Sequence, residues 1–95
     1  DDTVRAGSGQ DYVEGGEGND TIFGERGDDR LYGQAGSDFV NGGDNQDRLF
    51  GGEDGDILSG ERGDDRLDGG PGDDSCDGGP NNDQATACEV INNIP

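Results

Sequence analysis

One position in every nine along this chain carries an aliphatic side chain: Val4, Val13, Ile22, Leu31, Val40, Leu49, Leu58 and Leu67, then the smaller Cys76 and Ala85. Two residues ahead of each stands an aspartate, in the unbroken series Asp2, Asp11, Asp20, Asp29, Asp38, Asp47, Asp56, Asp65, Asp74 and Asp83. Cut in that register the sequence reads AGSGQDYVE, GGEGNDTIF, GERGDDRLY, GQAGSDFVN, GGDNQDRLF, GGEDGDILS, GERGDDRLD, GGPGDDSCD and GGPNNDQAT, with the partial copy DDTVR in front. The residues flanking each eighth-position aliphatic vary, which predicts a three-residue strand with one side chain turned inward and its neighbours outward. The six residues before it make a turn. Where the fourth turn position is not glycine it is Asn45, Asp54 or Asn81. Asn and Asp tolerate positive φ best, so this position calls for a left-handed backbone. The fifth position reads as a spacer.

Glycine recurs too densely for helix, and the apolar residues lack a 3.6 period. A hairpin meander needs longer strands. The period predicts instead an all-β solenoid in which two units make one 18-residue coil, each coil about 4.8 Å above the last. After Thr86 the period fails. The segment ACEVINNIP carries Val90, Ile91 and Ile94 without a turn aspartate in register, as expected of an atypical end unit that closes the open core of the last coil. The expected organisation is a solenoid of about five coils over residues 1–86 and a capping segment over 87–95.

Composition alone would argue against a packed core, since 24% hydrophobic residues, 21 glycines and a net charge of −18 in 95 residues fall in the range of disordered chains. All six positive charges are Arg and there is no His. The acidic excess speaks against nucleic acid or an anionic membrane as partner and points to cations. No stretch approaches the roughly 18 apolar residues of a membrane span, and neither end reads as a signal peptide. If the protein is secreted, its targeting segment lies outside this chain.

At this point the units resemble the RTX nonapeptide, GGxGxDxUx with U a large aliphatic residue, and Gly15 to Phe23 fits every position of it. The resemblance covers residues 1–86 and implies a right-handed parallel β-roll with Ca²⁺ between stacked turns. In that family one turn offers the carbonyls of its first and third residues and its Asp, and the turn one coil away those of its second and fourth residues and its own Asp. Carried onto this chain, the carboxylate ligands are Asp11, Asp29, Asp47, Asp65 and Asp83 along one edge and Asp20, Asp38, Asp56 and Asp74 along the other. The carbonyl ligands are Gly7 and Gly9 of the first turn; Gly15, Gly16, Glu17 and Gly18; Gly24, Glu25, Arg26 and Gly27; Gly33, Gln34, Ala35 and Gly36; Gly42, Gly43, Asp44 and Asn45; Gly51, Gly52, Glu53 and Asp54; Gly60, Glu61, Arg62 and Gly63; Gly69, Gly70, Pro71 and Gly72; and Gly78, Gly79, Pro80 and Asn81. This arrangement holds about seven ions, with Asp2 at best completing an eighth. Substitutions such as Glu25 or Asn45 leave a carbonyl ligand in place if the backbone angles are kept.

Calcium is expected to control folding. One aliphatic per nine residues cannot offset the conformational entropy of ordering the chain. Stacked carboxylates about 5 Å apart repel by roughly 3 kcal/mol per pair at an effective dielectric of 20. About seven Ca²⁺ would bring −18 to about −4 and turn that repulsion into bridging.

Cys76 occupies an inward position of the last odd strand and Cys88 lies just past the array. A disulfide between them would tie the cap to the last coil and imply an oxidising, extracellular setting. Many RTX proteins leave Gram-negative cells through a type I channel with a C-terminal signal and lack cysteine. The tail CDGGPNNDQATACEVINNIP looks more like the ends of secreted actinobacterial calcium-repeat proteins, which implies a cleaved N-terminal signal. The chain begins one residue before a repeat Asp without a cap, so more repeats or another domain are expected upstream.

Other features have plainer readings. Arg30, Arg48 and Arg66, 18 residues apart, form either a docking stripe for an anionic partner or local charge balance, the latter favoured. Outward Phe23, Phe39 and Ile57 on one face and Tyr12, Tyr32 and Phe50 on the other offer a carbohydrate or protein contact, or simply pack on their neighbours, again the favoured reading. In Asp28-Asp29, Asp64-Asp65 and Asp73-Asp74 the second member is a repeat Asp, so metal binding explains the pairs better than catalysis. Asn19-Asp20-Thr21 matches a glycosylation sequon by coincidence with a ligand turn. With no His, P-loop or dinucleotide fingerprint, an enzyme is not expected here. Two function classes fit: a non-enzymatic calcium-binding module that folds after secretion and stabilises or tethers a larger protein, or the non-catalytic tail of an enzyme such as a metalloprotease or lipase. A third, an adhesion module, rests on the outward aromatics alone.

Overall fold

The computed structural model describes residues 2–92; Ile94 of the expected cap lies outside them. The described residues form eleven three-residue strands and no helix: β1 (Thr3–Arg5), β2 (Tyr12–Glu14), β3 (Thr21–Phe23), β4 (Arg30–Tyr32), β5 (Phe39–Asn41), β6 (Arg48–Phe50), β7 (Ile57–Ser59), β8 (Arg66–Asp68), β9 (Ser75–Asp77), β10 (Gln84–Thr86) and β11 (Val90–Asn92). Strands β1 to β10 each begin directly after a repeat aspartate. The odd strands form one parallel sheet, β1-β3-β5-β7-β9-β11, and the even strands another, β10-β8-β6-β4-β2. Their register is 18 residues, as in Ile22 opposite Val40 and Leu31 opposite Leu49. The chain is thus a parallel β-roll of about five coils.

Three residues are too few to hold a strand by themselves, and the turns lengthen the ladder at both ends. The Gly15 N–H donates to the Tyr32 carbonyl at 2.7 Å, and the Arg30 N–H to the Asp11 carbonyl at 2.9 Å. Between the sheets lies a single file of side chains from each. Ile22, Leu31, Val40, Leu49, Leu58, Leu67 and Cys76 are sealed from solvent. Val4, Val13 and Ala85 are only partly buried, because the stack leaves its end coils covered on one side. The molecule is 13 Å thick, close to the spacing of two packed sheets, so a wider core has no room.

The outward rings pack on one another. Tyr32 and Phe50, directly opposite across β4 and β6, stack with centroids 4.6 Å apart and planes 7° from parallel. Tyr12 leans on Tyr32 at 5.1 Å and Phe23 on Phe39 at 6.1 Å, while the Arg5 guanidinium lies 4.6 Å over the Phe23 ring. Arg30, Arg48 and Arg66 do stack in one column. They line a groove together with Asp28, Asp29, Asp47, Asp64 and Asp65.

The end of the array is more regular than its sequence suggests. β11 adds to the odd sheet beside β9, with Ile91 opposite Cys76. The offset there is 15 residues rather than 18, because the turn before β11 has three residues, 87–89, instead of six. A Cys76–Cys88 disulfide, with Cα atoms 6.0 Å apart, ties this short turn to β9. Reducing it is expected to lower the unfolding free energy of the calcium-saturated chain by about 3 kcal/mol, the chain-entropy value for a loop of this size. Urea unfolding of the oxidised and reduced forms measures the difference.

Candidate metal centre

Each six-residue turn reverses the chain by placing its second and fourth residues in the left-handed region. At the fourth position, Gly27 has φ 108°, Asn45 79°, Asp54 72° and Asn81 84°, as the choice of Asn and Asp predicts. At the second, Glu25, Gln34 and Glu61 take φ 72°, 73° and 69°, beside 83° for Gly43. Sequence reasoning missed this second left-handed position, because Glu and Gln do not signal positive φ. They keep the backbone angles of the glycines they replace.

The non-glycine residues compensate with contacts between coils. Asn45, Asp54 and Asn81 accept the N–H of Gly27, Gly36 and Gly63, one coil earlier, at 3.1 to 3.2 Å. Glu25 pairs with Arg5 at 3.3 Å, Gln34 donates to Glu14 at 3.1 Å, and Glu61 accepts from Asn41 at 3.0 Å. The fifth position is also more than a spacer. Asn19, Asp28 and Asp64 accept the N–H of Ser37, Gln46 and Asn82, one coil later, at 2.8 to 3.0 Å. This accounts for the first member of the Asp28-Asp29 and Asp64-Asp65 pairs. The recurrence of Asn and Asp at the fifth position was the signal that could have found it.

The repeat aspartates close every turn. The Asp20 N–H donates to Asp38 Oδ1 at 2.7 Å, Asp29 to Asp47 at 2.8 Å, Asp38 to Asp56 at 2.7 Å, Asp47 to Asp65 at 2.8 Å and Asp65 to Asp83 at 2.7 Å. These side chains are almost wholly buried, Asp29, Asp47, Asp56, Asp65 and Asp74 to 1% exposure. Only one oxygen of each carboxylate is satisfied in this way. The Oδ2 atoms of Asp11, Asp29, Asp38, Asp47, Asp56, Asp65, Asp74 and Asp83 are buried without a hydrogen-bond partner. A buried carboxylate oxygen left so is costly unless it is protonated or meets a cation.

The pKa values reflect that cost. Burial, the largest cause, raises Asp38 to about 6, Asp56 to about 7, and Asp47 and Asp65 to about 8. The N–H from the aspartate one coil earlier pulls each of these down, and that aspartate's charge pushes it up. Asp29, Asp74 and Asp83 are also raised by burial.

The orphaned oxygens face a defined space beside the first residue of each turn. A Cβ on Gly33 would lie 2.5 Å from Asp38 Oδ2 and 2.8 Å from the Gly51 carbonyl, and one on Gly51 equally close to Asp56 Oδ2 and the Gly69 carbonyl. Gly24 and Gly60 face the same pair of groups. First-position carbonyls thus gather at the carboxylates. The second-position carbonyls of Glu25 and Gly43 accept the N–H of Asp44 and Arg62, which leaves each a second lone pair. A Cβ on Gly27 or Gly36 would run into the fourth-position carbonyl of Gly9 or Gly18. Among the described residues no three Asp, Glu, Cys or His side chains converge, so a cation in these turns would draw on main-chain oxygens as well as carboxylates. An all-oxygen donor set of this kind fits Ca²⁺ rather than a softer metal.

A family model, the RTX calcium-binding nonapeptide repeat, matches the chain in four copies, over residues 1–31, 14–49, 23–58 and 50–85. The chain belongs to this RTX repeat family. No curated relative and no solved structure matches it. RTX repeats bind calcium, and in this RTX roll the buried carboxylate edges described above suit that ion. Among the described residues no helix is long and apolar enough to cross a membrane.

The raised pKa values give a sign to the metal-free state. A carboxyl whose folded pKa lies above its unfolded value of about 3.9 favours the roll fully below about pH 4, and that contribution is lost as pH rises through about 6 to 8. In calcium-free buffer, β-structure followed by circular dichroism is therefore expected to increase as pH falls from about 8 to about 4. A flat or falling signal over that window would count against the buried-carboxylate picture.

Proposed function

We propose that this RTX roll is a non-catalytic structural module of a secreted protein, ordered by calcium after export. The observation that carries the reading is the series of buried, unpartnered Oδ2 atoms along both edges of the stack. In this reading Asp11 and Asp29, Asp29 and Asp47, Asp47 and Asp65, and Asp65 and Asp83 each clasp one ion on one edge. Asp20 and Asp38, Asp38 and Asp56, and Asp56 and Asp74 do so on the other, about seven sites in all. Main-chain carbonyls of the first four turn residues complete each shell. Bound Ca²⁺ supplies the positive charge that converts repulsion between stacked carboxylates into attraction. The roll then spans residues 1–86, with 87–95 as its cap.

Secretion is supported by the Cys76–Cys88 disulfide, which persists in oxidising compartments. The non-catalytic reading is supported by the tasks of the acidic pairs: Asp28 and Asp64 hold backbone N–H groups, and Asp29 and Asp65 belong to the metal turns. The module would serve a larger extracellular protein by becoming rigid only outside the cell.

Circular dichroism during a calcium titration is expected to show a cooperative gain of β-structure, and calorimetry about seven ions bound between complete turns. A chain fully folded in excess EGTA and indifferent to added calcium would sink this reading.

A further inference from the structure

The three-residue turn before β11 has the donors of a metal site. Resting on the calcium reading above, we propose that Glu89 completes an additional Ca²⁺ site with Asp74 and the Ala87 carbonyl, at the end of the edge that carries Asp20, Asp38 and Asp56. No further repeat aspartate follows Asp74 on this edge, where the 18-residue register would place one at Asn92. Asp74 is nevertheless 1% exposed, with its Oδ2 buried and unpartnered like those of the interior turns.

Glu89 takes the missing partner's place. The Asp74 N–H donates to Glu89 Oε1 at 2.8 Å, where the Asp56 N–H donates to Asp74 Oδ1 at 2.7 Å one coil earlier. The Glu89 N–H returns a bond to the Asp74 carbonyl at 3.0 Å. A turn shortened by three residues would leave an aspartate out of place, and the extra methylene of Glu restores the reach. Ala87, in turn, keeps the place of a first-position glycine, 18 residues after Gly69. A Cβ on Gly69 would run into both the Ala87 carbonyl oxygen and Asp74 Oδ2, the same pair of groups found at Gly33 and Gly51. Cys88 sits between the two new donors. Its disulfide to Cys76, two residues past Asp74, holds them against the 69–74 turn.

The donor set is one buried carboxylate, one carbonyl and one exposed carboxylate, all hard oxygens. Such a site would fill after the interior ones.

The test is the number of Ca²⁺ ions bound by the whole chain, counted by calorimetry and native mass spectrometry. Glu89→Gln is expected to bind one ion fewer than the parent with an unchanged circular dichroism spectrum, since the amide oxygen still accepts the Asp74 N–H. Asp74→Asn should bind two fewer, because Asp74 also faces the Asp56 site. If Glu89→Gln binds as many ions as the parent, the proposal is overturned and the calcium-module reading stands; should Asp74→Asn fail to fold, Glu89→Gln alone decides. A parent chain that binds no calcium would overturn both.

Discussion

The hydrogen bond from the N–H of each repeat aspartate, from Asp2 to Asp65, to the carboxylate of the aspartate one coil on is the contact that the rest of the roll depends on. It sets the 18-residue register, because a slip of one residue would take the carboxylate away from that N–H and turn the inward aliphatics outward. It also determines the electrostatics. With Oδ1 of Asp38, Asp47 and Asp65 committed to a neighbour at 2.7 to 2.8 Å and the side chains buried, their Oδ2 atoms have no protein donor. The same contact that builds the stack therefore leaves a demand for positive charge at the turns of these aspartates. Desolvation raises the carboxyl pKa of Asp38, Asp47, Asp56 and Asp65 because burial penalises the charged form more than the neighbouring N–H favours it.

The turn between two strands is shaped by the same requirement. Two left-handed residues, one apart, bend the main chain so that the first-position carbonyl faces the space beside the aspartate of the coil before. Glycine is the simplest occupant, and several of these positions press against the backbone one coil earlier, as Gly27 does on Gly9 and Gly43 on Glu25. Exceptions are tolerated where the side chain reaches a partner in another coil. Asn45 and Asn81 cap a glycine N–H; Glu25 and Gln34 reach residues twenty positions back. The surface contacts are weak singly, but they offset part of the cost of a left-handed L-residue.

At its C-terminal end the stack keeps the interactions while giving up the period. Three residues are deleted from the turn, Glu substitutes for Asp, and a disulfide restrains what a full turn would otherwise hold. The repeat is thus a set of contacts to be satisfied, and the nine-residue word is the commonest way to satisfy them.

The interval of aspartates and aliphatics by itself determined the two-sheet stack, its 18-residue coil, the identity of the inward side chains and the two files in which the aspartates stand. It did so because one inward residue per strand leaves a single register that buries every aliphatic, and because the interval admits no slip from Asp2 to Asp83. The left-handed fourth position was legible too, since Asn and Asp replace glycine there. The tertiary structure alone decided the rest. The second left-handed position was hidden because Glu25, Gln34 and Glu61 have no intrinsic preference for it and are held there by contacts from another coil. The roles of Asn19, Asp28 and Asp64 depend on which N–H groups lie over them. Glu89 could not be read as a member of the aspartate edge because its place is set by a shortened turn, and only stacking in space shows that residues 15 apart can stand where residues 18 apart stood before.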